Sequence, residues 1–310
     1  GIAKKNLKDY QGAIADFNSA IAINPQDANA YYYRGIAKRD LKDYGAIADF
    51  NRAIEINPRL ATAYSNRGIA KAKLGHYEGA IADFNRAIEI NPQDVNAYHN
   101  RGNAKSSLND YQGAIADYSK ALEIYPKYAT AYSYRGIAKS DLKDHQGAIA
   151  DFNRAIEINP QDADAYTNRG NAKNNLKDYQ GAIADYSKAI EINPQDANSY
   201  SNRGIAKSQS VDYQGAIADY SKAIEINPQD ANSYSNRGIA KSQSVDYQGA
   251  ITDYSKAIEI NPQDANAYYN RGSIKYYLED FQGAIADFNR AVEINPQLAD
   301  AYYNRGNAKG

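Results

Sequence analysis

The chain has no cysteine, no methionine and no tryptophan among its 310 residues. Absent cysteine excludes disulfides, thiolate nucleophiles and thiolate metal sites. Histidine occurs only as His76, His99 and His145, at three different places in the pattern below, so no shared imidazole cluster and no metal site are expected. Apolar runs are a few residues long, far short of the roughly 20 that span a bilayer. The first residues do not read as a secretory leader. Charge of neither sign prevails: 36 Lys plus Arg stand against 37 Asp plus Glu. That balance leaves no basic footprint for nucleic acid. Gly-rich phosphate loops and HExxH helices are missing, and the abundant carboxylates have caps and ion pairs to explain them. The reading is a soluble, cytoplasmic chain that is not an enzyme, with no cofactor, no nucleic-acid partner and no membrane contact.

What is present is one 34-residue sentence written repeatedly, clearest at 163–196 as ADAYTNRGNAKNNLKDYQGAIADYSKAIEINPQD. All nine prolines hold one place in it, from Pro25 to Pro296, and nineteen of the 21 glycines hold two others. A fixed period of this size means supersecondary modules stacked on their neighbours. The repeats fall at 28–60, 61–94, 95–128, 129–162, 163–196, 197–230, 231–264 and 265–298, with partial copies at 1–27 and 299–310. The array is read as one domain, 1–310, because a solenoid has no natural length limit. The incomplete first and last copies and the missing methionine read as an excerpt of a longer protein.

With Ala163 as position 1, small and apolar residues at positions 4, 8 and 11–14, then 17, 20, 21, 24, 27 and 28, recur at helical spacing. Aspartate at position 16 is an oxygen-bearing N-cap for the second helix; only His76 departs from it. Proline at 32 ends that helix and turns the chain. Each repeat is therefore an antiparallel hairpin, helix A then helix B. Small residues at 8, 20 and 27 (Gly170, Ala182, Ala189) face large ones (Tyr166, Tyr179, Tyr186), as a densely packed core requires. An aromatic at 4, Gly at 8, Tyr at 17, Ala at 20, Phe or Tyr at 24, Ala at 27 and Pro at 32 together resemble the tetratricopeptide repeat, across essentially the whole chain. The wording NRG-x-AK with AIADY or AIADF is similar to bacterial, particularly cyanobacterial, members. The resemblance implies an all-α, right-handed superhelical solenoid of eight full repeats, its concave face lined by helix A.

The chain departs from the family pattern at position 7, usually Leu and here always Arg, and at 23, often aromatic and here always Asp. Position 11 is always Lys, one turn from the arginine. Arg169 with Asp185 and Arg203 with Asp219 read as structural ion pairs; an anion site is the alternative. Glycine at 19, where Glu often completes a capping box, is expected to soften helix B's first turn. The repeat 28–60 lacks the residue before that glycine, so a tightened turn at Asp43–Gly45 and little change beyond it are expected. Repeats 197–230 and 231–264 differ only at Ala218 and Thr252. Both carry Ser–Val (Ser210, Val211; Ser244, Val245) where Leu and a polar residue are usual, so their A helices should end loosely.

Positions 2, 5, 9 and 12 share one stripe of helix A, which the resemblance, adding 6 and 13, turns toward the groove. Position 6 is asparagine at Asn66, Asn100, Asn168, Asn202, Asn236, Asn270 and Asn304. An amide both donates and accepts, so such a row can pair with an extended peptide backbone whatever its side chains. It resembles ladders by which other family members hold peptides, although local packing would also use asparagine. Serines at 5 (Ser65, Ser133, Ser201, Ser235) make the expected groove neutral and hydroxylated. The family's clamp for acidic chaperone tails needs cations at 5, 12 and 13 that do not accompany Asn103 and Asn171, so such tails are not expected partners. Tyr269, Tyr276, Tyr277 and Tyr303 are expected to converge on the concave face, and Tyr32 and Tyr33 with Arg39 form a smaller group. Exposed aromatics of this kind make interface hot spots.

The functional expectation is a non-enzymatic protein–protein interaction scaffold that binds extended, largely uncharged peptide segments, its partner's identity open. Two alternatives stand beside it. One is a structural spacer that self-associates end to end, since Asn6–Leu7 and Tyr302–Tyr303 belong to copies without polar caps. The other is a region recruiting substrates to an enzyme or signalling protein.

Overall fold

A computed structural model describes residues 9–309; Asn6 and Leu7 lie outside the described residues. Within these, eighteen α-helices follow one another in antiparallel pairs, and no strand occurs. The chain divides after Pro160 into two compact halves. The first holds helix B of the opening copy (Tyr10–Ile23) and the A/B pairs Ala28–Asp40 with Ala46–Ile56, Ala61–Lys73 with Tyr77–Ile90, Val95–Ser107 with Tyr111–Ile124, and Ala129–Asp141 with His145–Ile158. The second holds Ala163–Asn175 with Tyr179–Ile192, Ala197–Gln209 with Tyr213–Ile226, Ala231–Gln243 with Tyr247–Ile260, Ala265–Tyr277 with Phe281–Ile294, and a last A helix, Ala299–Asn307.

Local chemistry sets the helix ends. Asp178 caps its B helix by accepting from the Gly181 N–H at 3.0 Å. A Cβ on Gly181 would stand 2.7 Å from the Asp178 carboxyl carbon, so this glycine makes room for the cap as well as loosening the first turn. Six of the nine A helices begin on aspartate at position 34, as where Asp196 accepts from Asn198 and Ser199; Leu60, Tyr128 and Leu298 stand there in the others, with no side-chain cap. The complete A helices end on a residue in the left-handed region at position 15, such as Lys177 at φ 62. Beyond it the Asp178 N–H returns to the Lys173 carbonyl at 2.9 Å, which satisfies a carbonyl the helix would otherwise strand. Val211 and Val245 hold this left-handed place at φ 68 and 67, where a β-branched side chain is strained. Both are 68% exposed.

The core is large against small. Tyr186 is buried with Ala182 and Ala189, and its ring lies where a Cβ on Gly170 would come within 2.7 Å of Cε1. Charge joins helix A to helix B within each repeat, and the arginine reaches on to the repeat before. In the second half, Arg203 meets Asp219 through Nε at 2.9 Å and Nη2 at 2.6 Å. Its Nη1 donates to Ser187 of the preceding repeat at 3.0 Å, and Tyr200 lies under the guanidinium at 5.6 Å. Lys207 adds a second cation 2.8 Å from Asp219, whose side chain is only 5% exposed. Arg169 contacts Asp185 in the same two-pronged way, at 2.9 and 2.5 Å. With all three Arg203 nitrogens holding protein acceptors, the geometry favours a structural pair over a site for an external anion.

The shortened repeat differs more than its sequence suggests. Its B helix starts at Ala46, three register positions late, with no side-chain cap. Asp43 accepts from the Gly45 N–H at 2.8 Å instead, and Tyr44 is turned out to 75% exposure. The turn tightens as expected, but the loss reaches a whole helical turn, because a capping aspartate two residues from glycine cannot also seat the aromatic between them.

Candidate functional site

The position-6 asparagines are all half-buried on the A helices, and their surroundings differ. Asn66 donates to the Thr62 carbonyl at 2.7 Å and to the Tyr32 hydroxyl at 3.3 Å, and accepts from Arg39. Asn202 reaches Asn171 Oδ1 at 3.4 Å, and Asn304 donates to the Tyr269 hydroxyl at 3.2 Å. Among the described residues, Asn100, Asn168, Asn236 and Asn270 have no protein hydrogen-bond partner. Asn236 and Asn270 open on one cleft of about 580 Å³, shared with Asn232, Asn261, Gln263, Asn266 and Asn295. A second cleft of about 320 Å³ is lined by Asn171, Asn174, Asn175 and Asn202. In the lining of these clefts, Ser235 Oγ and Asn174 Oδ1 are buried without a partner, each a standing cost of about 1–3 kcal/mol.

Position 5 faces differently from the rest of its stripe. Ser65 donates to Asp94, the cap of the next repeat, at 3.2 Å. Thr167 meets Ser199 at 2.9 Å and Ser201 meets Ser233 at 3.3 Å, each pair linking position 5 to position 3 of the following repeat. Two of the four serines expected to line the groove, Ser65 and Ser201, therefore belong to the seam between repeats. Asn103 and Asn171 are likewise committed: each accepts from the buried tyrosine at position 24 of its own repeat, Tyr118 at 2.7 Å and Tyr186 at 2.8 Å.

The expected quartet of tyrosines does not form one cluster. Tyr277 pairs with Tyr247 of the previous repeat at 4.8 Å, Tyr276 with Phe281 at 5.6 Å, and Tyr269 with Phe288 at 6.0 Å. Tyr303 stands 71% exposed. The smaller group does assemble: Tyr32 and Tyr33 meet edge to face at 5.0 Å, and Arg39 joins them through Asn66.

A further aromatic cluster was not singled out in the sequence. His99, 7% exposed, sits among Tyr128 at 5.2 Å, Tyr134 at 5.3 Å and Tyr118 at 5.6 Å. Tyr134 takes the place of the position-6 asparagine and Tyr128 that of the capping aspartate, so two departures from the register fall at one junction. The Tyr118 hydroxyl donates to Asn103 Oδ1, which leaves the Asn103 amide nitrogen facing His99 Nε2 at 3.2 Å. Nε2 is then the acceptor and Nδ1 carries the proton, buried and unpartnered. Burial lowers the His99 pKa from 6.5 to about 4 and, with the charges of Tyr134 and Asp117, pushes the Tyr118 hydroxyl up. Among the described residues, no three His, Asp or Glu side chains gather as a metal site, and no helix is long and apolar enough to cross a membrane.

Comparison with known proteins accords with this geometry. The model of the tetratricopeptide repeat matches 95–128 and 163–196. A second, described as TPR repeat, matches 4–40, 42–75, 70–108, 140–177, 212–244, 246–276 and 272–310. No curated protein sequence matches the chain. Among solved structures, the C-terminal part of a TPR protein from Cytophaga hutchinsonii aligns with a TM-score of 0.64 at 20% identity, over 76% of this chain and 96% of that one. A tetratricopeptide repeat protein from Parabacteroides merdae gives 0.60 at 20%, over 81% and 99%. YrrB, described as a TPR protein with an unusual peptide-binding site, gives 0.52 at 24%, over 59% and 95%. At these identities the likeness speaks for the fold. With repeat models matching most of its length, the chain belongs to the tetratricopeptide repeat family.

Proposed function

We propose that this chain is a non-catalytic interaction scaffold that binds an extended, largely uncharged peptide segment along the faces of its A helices. One observation carries the reading: Asn236 and Asn270 share an amide-lined cleft and have no hydrogen-bond partner among the described residues. An unspent amide beside a cleft can both donate to and accept from a peptide backbone. Family membership supports an interaction scaffold in general, and the peptide-binding description of YrrB is in keeping with it, although that description is of YrrB. The near-neutral charge and the engagement of Arg203 with Asp219 leave little to recruit a strongly charged ligand.

The test is a random-sequence peptide array probed with the wild-type chain and with Asn202, Asn236 and Asn270 changed together to Ala. Peptides captured by the wild type are expected to be lost by the variant while its helical circular dichroism is unchanged. Unaltered capture would overturn the reading, and concentration-dependent self-association without capture would favour a spacer.

A further inference from the structure

The missing residue in repeat 28–60 leaves a socket. In four copies the position-17 ring packs in one cluster with position 10 of the next repeat. Tyr10 clusters with Ala37, Tyr77 with Ala104, Tyr111 with Ala138, and Tyr247 with Ile274. Outside repeat 28–60, position 17 is half-buried wherever a complete A helix follows within the same half. Phe281 is more exposed, and the A helix after it, Ala299–Asn307, is short. Repeat 28–60 breaks the rule although a complete A helix, Ala61–Lys73, follows it. The clusters around Ala206 and Ala240 also lack their ring, but there Tyr179 and Tyr213 stay half-buried. Tyr44 is 75% exposed and absent from the cluster of Ala46, Phe50 and Ala70. In that place is a cleft of about 370 Å³, floored by Ala46, Ile47, Ala70 and Leu74, with Tyr44 at its rim.

We infer that this cleft is a binding site for one aromatic side chain presented by a partner peptide, beside an acidic group. The occupant's identity comes from the molecule itself, since four other copies of the same floor are covered by tyrosine. The acidic neighbour comes from the rim, bordered by Lys42, Lys73 and Asp43: Asp43 is engaged by the Gly45 N–H, whereas neither lysine has an ion-pair partner among the described residues. Arg39, also on the rim, is held by Asp40 and Asn66. The peptide part of this inference rests on the scaffold reading above, but the socket itself is tested alone.

The probe is N-acetyl-L-tyrosine, which carries the ring and one carboxylate. It is titrated into the full chain while the methyl resonances of Ala46, Ile47, Ala70 and Leu74 are followed. Shifts at these methyls are expected, with N-acetyl-L-tyrosinamide binding more weakly at low salt. A variant with Gln inserted between Tyr44 and Gly45 restores the wording KDYQGAIADF and lets Tyr44 return to its floor. It should bind at least about tenfold more weakly, as covering one aromatic site implies. Tyr44→Ala should retain the wild-type affinity. The triple asparagine variant, altered in the other half of the chain, should also respond like the wild type, so loss of groove binding and loss of the socket are separately visible. No methyl response in the wild type, or an equal response in the insertion variant, would overturn the inference. So would a tenfold gain in Tyr44→Ala, because it would show Tyr44 already filling the socket.

Discussion

Acidification should loosen the chain at one junction first, that of repeats 95–128 and 129–162. In the unfolded chain His99 takes up its proton near pH 6.5, whereas burial holds the folded value at about 4. Between those values the unfolded state binds more protons, so folding stability falls as pH falls. The contribution is fully present above about pH 6.5 and fully lost below about pH 4. The gap corresponds to roughly 3 kcal/mol, a large part of the stability of a small domain. Charging Nε2 would also set two donors face to face at Asn103. In a solenoid such a loss is felt by the repeat and its neighbours. Amide protection factors in 95–162, followed from pH 7.5 to 5 and corrected for the pH dependence of intrinsic exchange, are therefore expected to fall well beyond those in 197–264. His99→Tyr, a residue found at the same position in Tyr32 and Tyr269, should remove the difference. An imidazole titration by NMR gives the direct reading: a midpoint at or above 6.5 would refute the reasoning.

Other predictions follow from the same contacts. Asp219→Leu leaves Arg203 and Lys207 facing each other without their anion and should cost about 3–5 kcal/mol; Arg203→Leu should cost less, because Lys207 still meets Asp219. Urea unfolding of both variants orders them, and a harmless Asp219→Leu would contradict the pairing. Glycine at position 19 should answer by context: Gly79→Ala, beside an uncapping His76 and in open contact only with Lys71, should stabilise by about 0.5–1 kcal/mol. Gly181→Ala should destabilise by about 1 kcal/mol through its cap, so thermal melts should move in opposite directions. Val245→Gly should raise the melting temperature by relieving roughly 1 kcal/mol of left-handed strain, and a lowered one would argue against that strain.

The hairpins, the capping aspartates and the Gly170–Tyr186 packing were legible because each depends on neighbours at fixed spacing within one repeat. The Arg–Asp pairing was legible for the same reason, its partners being sixteen residues apart. What escaped depends on the seam between repeats. Spacing puts position 5 on the stripe of positions 2, 9 and 12, but a stripe about 100° wide reaches both groove and seam, and Ser65 falls in the seam against Asp94. Tyr276 and Tyr277 share a helix with Tyr269, yet they sit two turns further on, where their ring partners are Phe281 and Tyr247. The glycine at 19 looked like a plain weakness because the carboxylate that fills its space is set by the cap geometry. The cluster of His99, Tyr128 and Tyr134 spans three register positions of two repeats; only two departures from the pattern at one junction signalled it.

The most direct measurement follows the side-chain amide resonances of Asn202, Asn236 and Asn270 while a peptide captured on the array is added. The account predicts that these three shift together and saturate with the same affinity as capture. Saturable binding that leaves all three unmoved would contradict it.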